Sequence, residues 1–556
     1  MFCKTTVVLV GSQLPSETPS QKWTRGAGFW RTFLALCIPL LLSALEGSVT
    51  NTALPTISSA LDLGTMFSWV ATAFLLASTI FQPLYSQLGD MWGRKMPLMA
   101  AVCVFAVGSA VCGAAQSGPM LVAGRIVQGL GTGGIDLFAE MILCDIVPLR
   151  KRGPYLAIKH VVFAMGTTLG PLLGGVFAER GWRWCFLINI PVCLVALVVI
   201  WFWLHVGGGM VTRDTAVLEE LKKVDYFGSG LLSFTGGSPN PWTHPAIVVP
   251  LFLGAVGLIG FVAWERSTYC KYPIMPPHVF SNRTSNIAFA LTTIHGFITY
   301  GFQFYLPPFF QAVKGSSPTQ SGIEVMPCTL VVVVLAAVGG PLLTYSGKYK
   351  PIHNIGFALM TLGLGLCTLL NRETPVAVWL VLQLVTASGL GIVISSMLPA
   401  VQVKLAESTT AASAGSWAFL RGTGSLFGVA IPGAIFNVRF AQLLPGISSP
   451  SARAQLENGQ AYQRGSAIFI QQFSTTVKLE IISAFTAALK SVWIIFAVLA
   501  GLGFLLTWFE KEYKMSKELN TAYGLQSPKS TGSTSSSRAS TVVSDCEVEE
   551  KAGEVV

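Results

Sequence analysis

Apolar residues in this chain come in runs of about 20, the length that carries an α-helix across a bilayer. They lie near 32–57, 68–88, 96–114, 119–145, 155–178 and 184–205, then near 246–264, 285–311, 321–345, 352–370, 376–402, 410–437 and 491–509. Backbone groups in lipid find no water to bond, so such runs must be helical. The pattern predicts an all-α polytopic membrane protein. Between the runs the charge alternates. Residues 58–67 and 115–118 hold no Lys or Arg, whereas Arg94-Lys95 and Arg150-Lys151-Arg152 fall on the opposite side, which the positive-inside rule makes cytoplasmic. Arg180 and Arg183 are a mild exception. Lys22, Arg25 and Arg31 place the N-terminus in the cytosol, and Arg213, Lys222 and Lys223 return the chain there after six spans.

One stretch breaks the pattern. The apolar run from Gly228 to Gly237 meets Ser238-Pro239-Asn240-Pro241, and about ten helical residues rise only about 15 Å, half the hydrocarbon thickness. Without it the count is thirteen, which would leave Lys348, Lys350 and the basic segment after 510 outside, against the charge rule. The expectation is that 225–245 acts as a fourteenth crossing, as a strained half-helix or as a helix lacking a piece.

Composition removes several function classes. Of 556 residues, 52% are hydrophobic and 11% charged, against about a quarter charged in soluble domains, and the mean hydropathy is +0.60. Soluble domains are excluded apart from the tails. The net charge of +10 lies in short loops and tails and not on one face, so no nucleic-acid partner is expected. Eleven cysteines are scattered without a CxxC pair, and six histidines lack metal spacing. No metal site, cofactor or catalytic cluster follows, and no enzyme.

Charges inside the spans are the candidate chemistry, because they are expensive there and need partners. Glu46 sits about halfway through the first run; it is either neutral in one state and paired in another, as a proton carrier is, or held in a fixed ion pair. Arg125 opens the fourth, followed by a glycine run that admits a close neighbour. Gly129, Gly131 and Gly134 fit a dinucleotide fingerprint, but no strand precedes them, so that reading is discarded. Asp136 and Glu140 are four apart and share one face; two carboxylates deprived of water leave at least one able to hold a proton near neutral pH. Asp145 is expected to tether Arg150 or Arg152. Asn282-Arg283-Thr284 matches a glycosylation sequon but falls in a cytoplasmic loop, so it is treated as chance.

Four motifs carry a family resemblance. Gly89-Asp90-Met91-Trp92-Gly93-Arg94-Lys95 resembles the signature loop between the second and third helices of the major facilitator superfamily, whose Asp and Arg latch one alternating state. Gly166 and Gly170-Pro171 with Gly174-Gly175 resemble the helix-five pattern of its exporters. The segments Trp182 to Pro191 and Tyr305 to Gly315 are similar to the fourteen-helix drug:proton antiporter branch, although Glu46 stands where Asp is common. Lys348 and Lys350 after Gly339-Gly340 form a degenerate second copy of the loop.

The resemblance implies the major facilitator fold, two six-helix bundles plus an inserted helix pair whose first segment is shortened, with rocking-type alternating access. Its domains would be a disordered cytoplasmic tail at 1–28, a bundle at 29–205, a linker with the inserted hairpin at 206–284, a bundle at 285–509, and a disordered cytoplasmic tail at 510–556 with a Ser/Thr-rich tract. The second bundle would contain an extracellular loop at 438–490, with an interfacial helix near 464–489. The implied function is proton-coupled export of small apolar organic compounds such as drugs, toxins or secondary metabolites. Glu46 with Asp136 or Glu140 would exchange the proton, Arg125 would bias them, and Gly89, Asp90, Gly93, Arg94 and Lys95 would gate. Asn51, Gln128, Phe302, Gln303, Tyr305, Trp417 and Arg421 are the candidate cavity wall. Partners are the substrate, protons and the bilayer; a monomer in the plasma membrane is expected, with the vacuolar membrane as the other site. The alternatives are a fourteen-helix carrier for siderophores or basic amino acids and a non-transporting, inactive remnant.

Overall fold

The computed structural model describes residues 26–206 and 275–515, apart from 62, 64–66, 407, 408, 458–460, 462, 463 and 466, together with 260, 264, 265 and 273. The expected crossings at 225–245 and 246–264, the tail before 26 and the Ser/Thr-rich tract lie outside these.

The first half runs α1 (Ala27–Leu61), α2 (Phe67–Ile80), α3 (Gln82–Trp92), α4 (Lys95–Gly113), α5 (Gly118–Ile146), α6 (Arg152–Arg180), α7 (Trp184–Leu187) and α8 (Asn189–Trp203). The second runs α9 (Arg283–Pro308), α10 (Pro318–Ser346), α11 (Lys350–Cys367), α12 (Val376–Gln402), α13 (Thr410–Leu443), α14 (Pro450–Leu456), α15 (Ala467–Ile470) and α16 (Thr475–Trp508). Eight of the described helices are long and apolar enough to cross a membrane by themselves. The second run of the sequence divides at Phe81, because Pro83 at the start of α3 cannot continue the hydrogen-bond ladder of α2. Pro307 and Pro308 likewise turn the end of α9 into a π-helical stretch, Phe309–Lys314.

Each half closes on itself in a similar way. Lys95 at the start of α4 donates to the Trp201 carbonyl near the end of α8 at 2.7 Å, and Lys350 at the start of α11 donates to the Trp508 carbonyl at the end of α16 at 2.9 Å. A cation on the last carbonyls of a helix opposes its dipole and satisfies groups that have no partner within the helix. Lys348 and Lys350 were the weak second copy of the signature loop, and the structure shows the shared physical role.

The two halves are joined so that their basic ends share one face. Arg152 on α6 donates to the Gln402 side chain at the end of α12, and Ser285 of α9 donates to the Val401 carbonyl at 2.8 Å. Arg94, Lys95, Lys350 and Lys511 lie at the same end, which the excess of positive charge marks as cytoplasmic. The ends of the stretch between α8 and α9 therefore lie on one face.

Three expectations need correction. The outer loop of the second half spans 444–474 and not 438–490, because α13 continues to Leu443 and α16 begins at Thr475. No separate interfacial helix covers 464–489; Lys478, Glu480 and Lys490 interrupt the hydropathy of what is the outer part of the last helix, where Glu480 accepts from the Ser448 hydroxyl at 2.8 Å. Residues 510–515 are not a loose tail. Glu510 pairs with His353 at 3.0 Å, both fully buried, the Lys511 carbonyl accepts from the Tyr349 hydroxyl, and Met515 is buried.

Candidate functional site

Charged side chains inside the bundle concentrate in three places. The first lies wholly within the first half. Glu46 of α1 accepts from Arg125 Nη1 of α5 at 2.7 Å, from the Thr50 hydroxyl at 2.8 Å and from the Asn189 side chain of α8. Arg125 also donates to the Val70 carbonyl at 3.1 Å and to Gln128 at 2.8 Å, and its guanidinium stands 4.1 Å from the Phe74 ring centroid. Gln128 passes the network to Ser109 at 2.8 Å. Glu46 is 0% exposed and Arg125 1%. In this state Glu46 is ion-paired with Arg125, as both sequence readings of it allow. Gln128 serves that network and does not face the space between the halves.

The second place draws on both halves. Asp136 and Glu140 stand one turn apart on α5, facing α1 and α6. Glu140 is bound by Lys159 of α6, while Asp136 is half-buried and accepts from the Ser43 hydroxyl of α1 at 2.9 Å. Across from them, Arg421 of α13 lies 5.3 Å from the Trp417 ring centroid and within electrostatic reach of Asp136, His160, His295 and Tyr300. His295 is oriented by the Leu390 carbonyl at 2.9 Å. Sequence reasoning missed Lys159, His160, His295 and Tyr300. The available signal was the Lys159-His160 pair within an apolar run, a buried cation where the α5 carboxylates need a partner.

The remaining proposed wall residues divide. Phe302 packs on Trp493 with ring centroids 5.6 Å apart, and the Tyr305 hydroxyl donates to the Val429 carbonyl at 2.7 Å, so both belong to the second half's own core. Trp417 is buried, Gln303 is half-buried, and the Asn51 side chain lies outside the described set.

The third place is the signature loop. Gly93 has φ 76° and ψ 179°, a positive-φ conformation that favours glycine and lets α4 follow α3 directly. Arg94, 2% exposed, bonds Asp90 at 2.9 Å and Asp145 at 2.8 Å. Asp145 thus holds Arg94 and not Arg150 or Arg152; Arg152 instead donates to the carbonyls of Cys144 and Val147 and to Gln402, and Arg150 to the Thr344 carbonyl at 3.2 Å. Gly89 lets the loop sit against Phe138. At this end the halves touch backbone to backbone: a Cβ on Gly153 of α6 would stand 2.6 Å from the Gly340 carbonyl oxygen of α10. On α6, Gly166 and Gly170 face Ala44 and Ser48 of α1 and leave no room for a side chain. Gly174 is buried; the surroundings of Pro171 and Gly175 are not among the described ones.

The model of the Major Facilitator Superfamily matches residues 36–429. The chain belongs to the major facilitator superfamily. It is 39% identical to the MFS-type efflux transporter pyiT of Pyricularia grisea over 91% of this chain and 88% of that protein. It is also 39% identical to the MFS-type efflux transporter phmH of Phaeosphaeria nodorum, over 93% and 91%. Among solved structures, the proton:xylose symporter XylE bound to 6-bromo-6-deoxy-D-glucose superposes with TM-score 0.57 at 13% identity, covering 88% of this chain and 98% of that one. The human organic anion transporter MFSD10 gives 0.56 at 13%, covering 87% and 100%. These two share the fold. Superfamily membership and a multi-pass helical fold are those of a membrane transporter rather than of an enzyme.

Proposed function

We propose that this superfamily member is a proton-coupled efflux transporter that moves small, largely apolar organic compounds out of the cell across the plasma membrane. The observation that carries the reading is Asp136. It is a half-buried carboxylate at the meeting of the two halves, beside a second carboxylate that already owns the nearby lysine. A carboxylate in that setting changes its charge cheaply when access switches sides. The relatives named efflux transporters support the direction of transport. The sealed cytoplasmic seam at Gly153 and Gly340 supports alternating access, with this state closed toward the cytosol. We assign Glu46 and Arg125 to holding the first half together, and the exchange of the proton to Asp136 with Glu140. The reading includes a monomer, since both halves supply the site from one chain.

The test is efflux from proteoliposomes with an imposed pH gradient, using a panel of apolar toxins as cargo. Wild-type protein should accelerate efflux only when the gradient is present. Asp136→Asn should lose gradient-driven efflux yet keep substrate exchange at equal pH. Gradient-driven efflux that survives Asp136→Asn refutes the assignment.

A further inference from the structure

Between the halves, among the described residues, the cation Arg421 stands without a protein acceptor. Among the described residues Arg421 donates no hydrogen bond and joins no ion pair; its neighbour is the Trp417 ring, whose buried indole N–H is also without an acceptor. On the facing wall, one Asp136 oxygen takes the Ser43 hydroxyl and the other accepts nothing among the described residues. The two side chains belong to one level of the bundle. Gly133, one turn before Asp136, packs on Ser78 of α2, and Gly422, next to Arg421, packs on the adjoining Thr79. The other titratable groups near them are accounted for: Lys159 is taken by Glu140, and His160 of α6 with His295 and Tyr300 of α9 complete the set.

Charge decides what such a site exchanges for a proton. With Asp136 ionised, Asp136 and Glu140 balance Lys159 and Arg421, so the open pair is one negative group on the first half and one positive group on the second. An anion on Arg421 would be repelled by ionised Asp136 and would keep a proton on it. Anion and proton would then travel together, which is not exchange. A compound that donates a hydrogen bond to the Asp136 carboxylate is instead weakened when that carboxylate takes a proton, which is exchange. Because the two groups stand on opposite walls, the compound's donor and acceptor must point in opposite directions, as N–H and C=O do in a trans amide.

We propose that Asp136 and Arg421 form a two-point site for electrically neutral apolar compounds carrying a secondary amide, the N–H donating to the Asp136 carboxylate and the C=O accepting from the Arg421 guanidinium. This rests on the efflux reading above and names the chemical handle of its cargo. From the cytosol the compound binds ionised Asp136; from outside a proton on Asp136 removes the charge-assisted bond and favours release.

Calorimetric titration of the full chain in nanodiscs tests it with three probes of similar bulk: N-benzylbenzamide, N-benzyl-N-methylbenzamide and 4-benzylbenzoate. The secondary amide should bind about tenfold or more tighter than its N-methyl analogue, the loss expected for a hydrogen bond to a charged group. Its affinity should rise with pH, and comparison of buffers with different ionisation enthalpies should show proton release on binding. Asp136→Asn should abolish the pH dependence and the proton release. Arg421→Leu should keep the N–H preference while weakening both amides about tenfold. The proposal is overturned if the two amides bind equally, if none of the three probes binds, or if 4-benzylbenzoate binds best with affinity rising as pH falls. Each of those results leaves the efflux reading to be judged by the toxin panel and pH gradient, which do not depend on these probes.

Discussion

Replacing Glu46 with Gln keeps the shape of the side chain and removes one charge from a pair enclosed by α1, α2, α4, α5 and α8. Arg125 would then be a buried cation whose remaining acceptors are the Gln128 side chain, the Val70 carbonyl, the more distant Thr50 hydroxyl and the new amide oxygen, with the Phe74 face beneath it. Breaking a buried pair by removing one partner costs about 3–5 kcal/mol. The surviving acceptors put Glu46→Gln at the lower end, about 3 kcal/mol. Arg125→Gln leaves Glu46 with Thr50 and Asn189 alone and should fall near the upper end, about 5 kcal/mol. The double variant carries no uncompensated charge, so its cost should lie below the sum by about 2–3 kcal/mol, the upper part of the range found for directly coupled neighbours. Titrating SDS into bicelle-embedded protein, with folding followed by tryptophan fluorescence, supplies all four free energies of the cycle. A Glu46→Gln protein as stable as the wild type, or strictly additive costs, would refute the ion pair as the element holding this half together.

Two further outcomes follow from the packing. Gly170→Leu places a branched side chain where Ser48 of α1 stands, and overpacking of about 1–3 kcal/mol or more should lower the amount of folded protein; Ser48→Gly in the same chain should restore part of it, as read by fluorescence-detected size exclusion. Gly153→Trp wedges the cytoplasmic seam, where even a Cβ would stand 2.6 Å from the Gly340 carbonyl oxygen. It should raise alkylation of a cysteine introduced at Gln402 from the cytosolic side, and unchanged labelling would show that the seam is not where access closes.

Much of this architecture was readable from the chain because membrane helices leave a length signal that tertiary contacts do not override. The runs at 119–145 and 376–402 became α5 and α12 within a residue at each end. The signal failed where polar residues occupy helix ends. Lys478 and Glu480 concealed the outer turns of α16, because the loop residue Ser448 satisfies the carboxylate in a way that no local pattern shows. Site residues were legible as expensive charges but not as pairs. Nothing in the spacing indicates that Glu46 meets a residue 79 positions away, or that Asp145 meets Arg94 across 51. The aromatic residues misled for a related reason: Phe302 and Tyr305 face their own half, and periodicity near a double proline cannot orient them.

The matching lysine clasps at Trp201 and Trp508 bear on how little energy a turnover needs. With α4 tied to α8 in one block and α11 to α16 in the other, each block can turn as a unit, and the strip around Gly153, Gly340, Arg150 and Arg152 is among the contacts that a change of access must rework. Opposing states can then stand within a few kcal/mol of each other, and the occupancy of a single internal binding position suffices to choose between them.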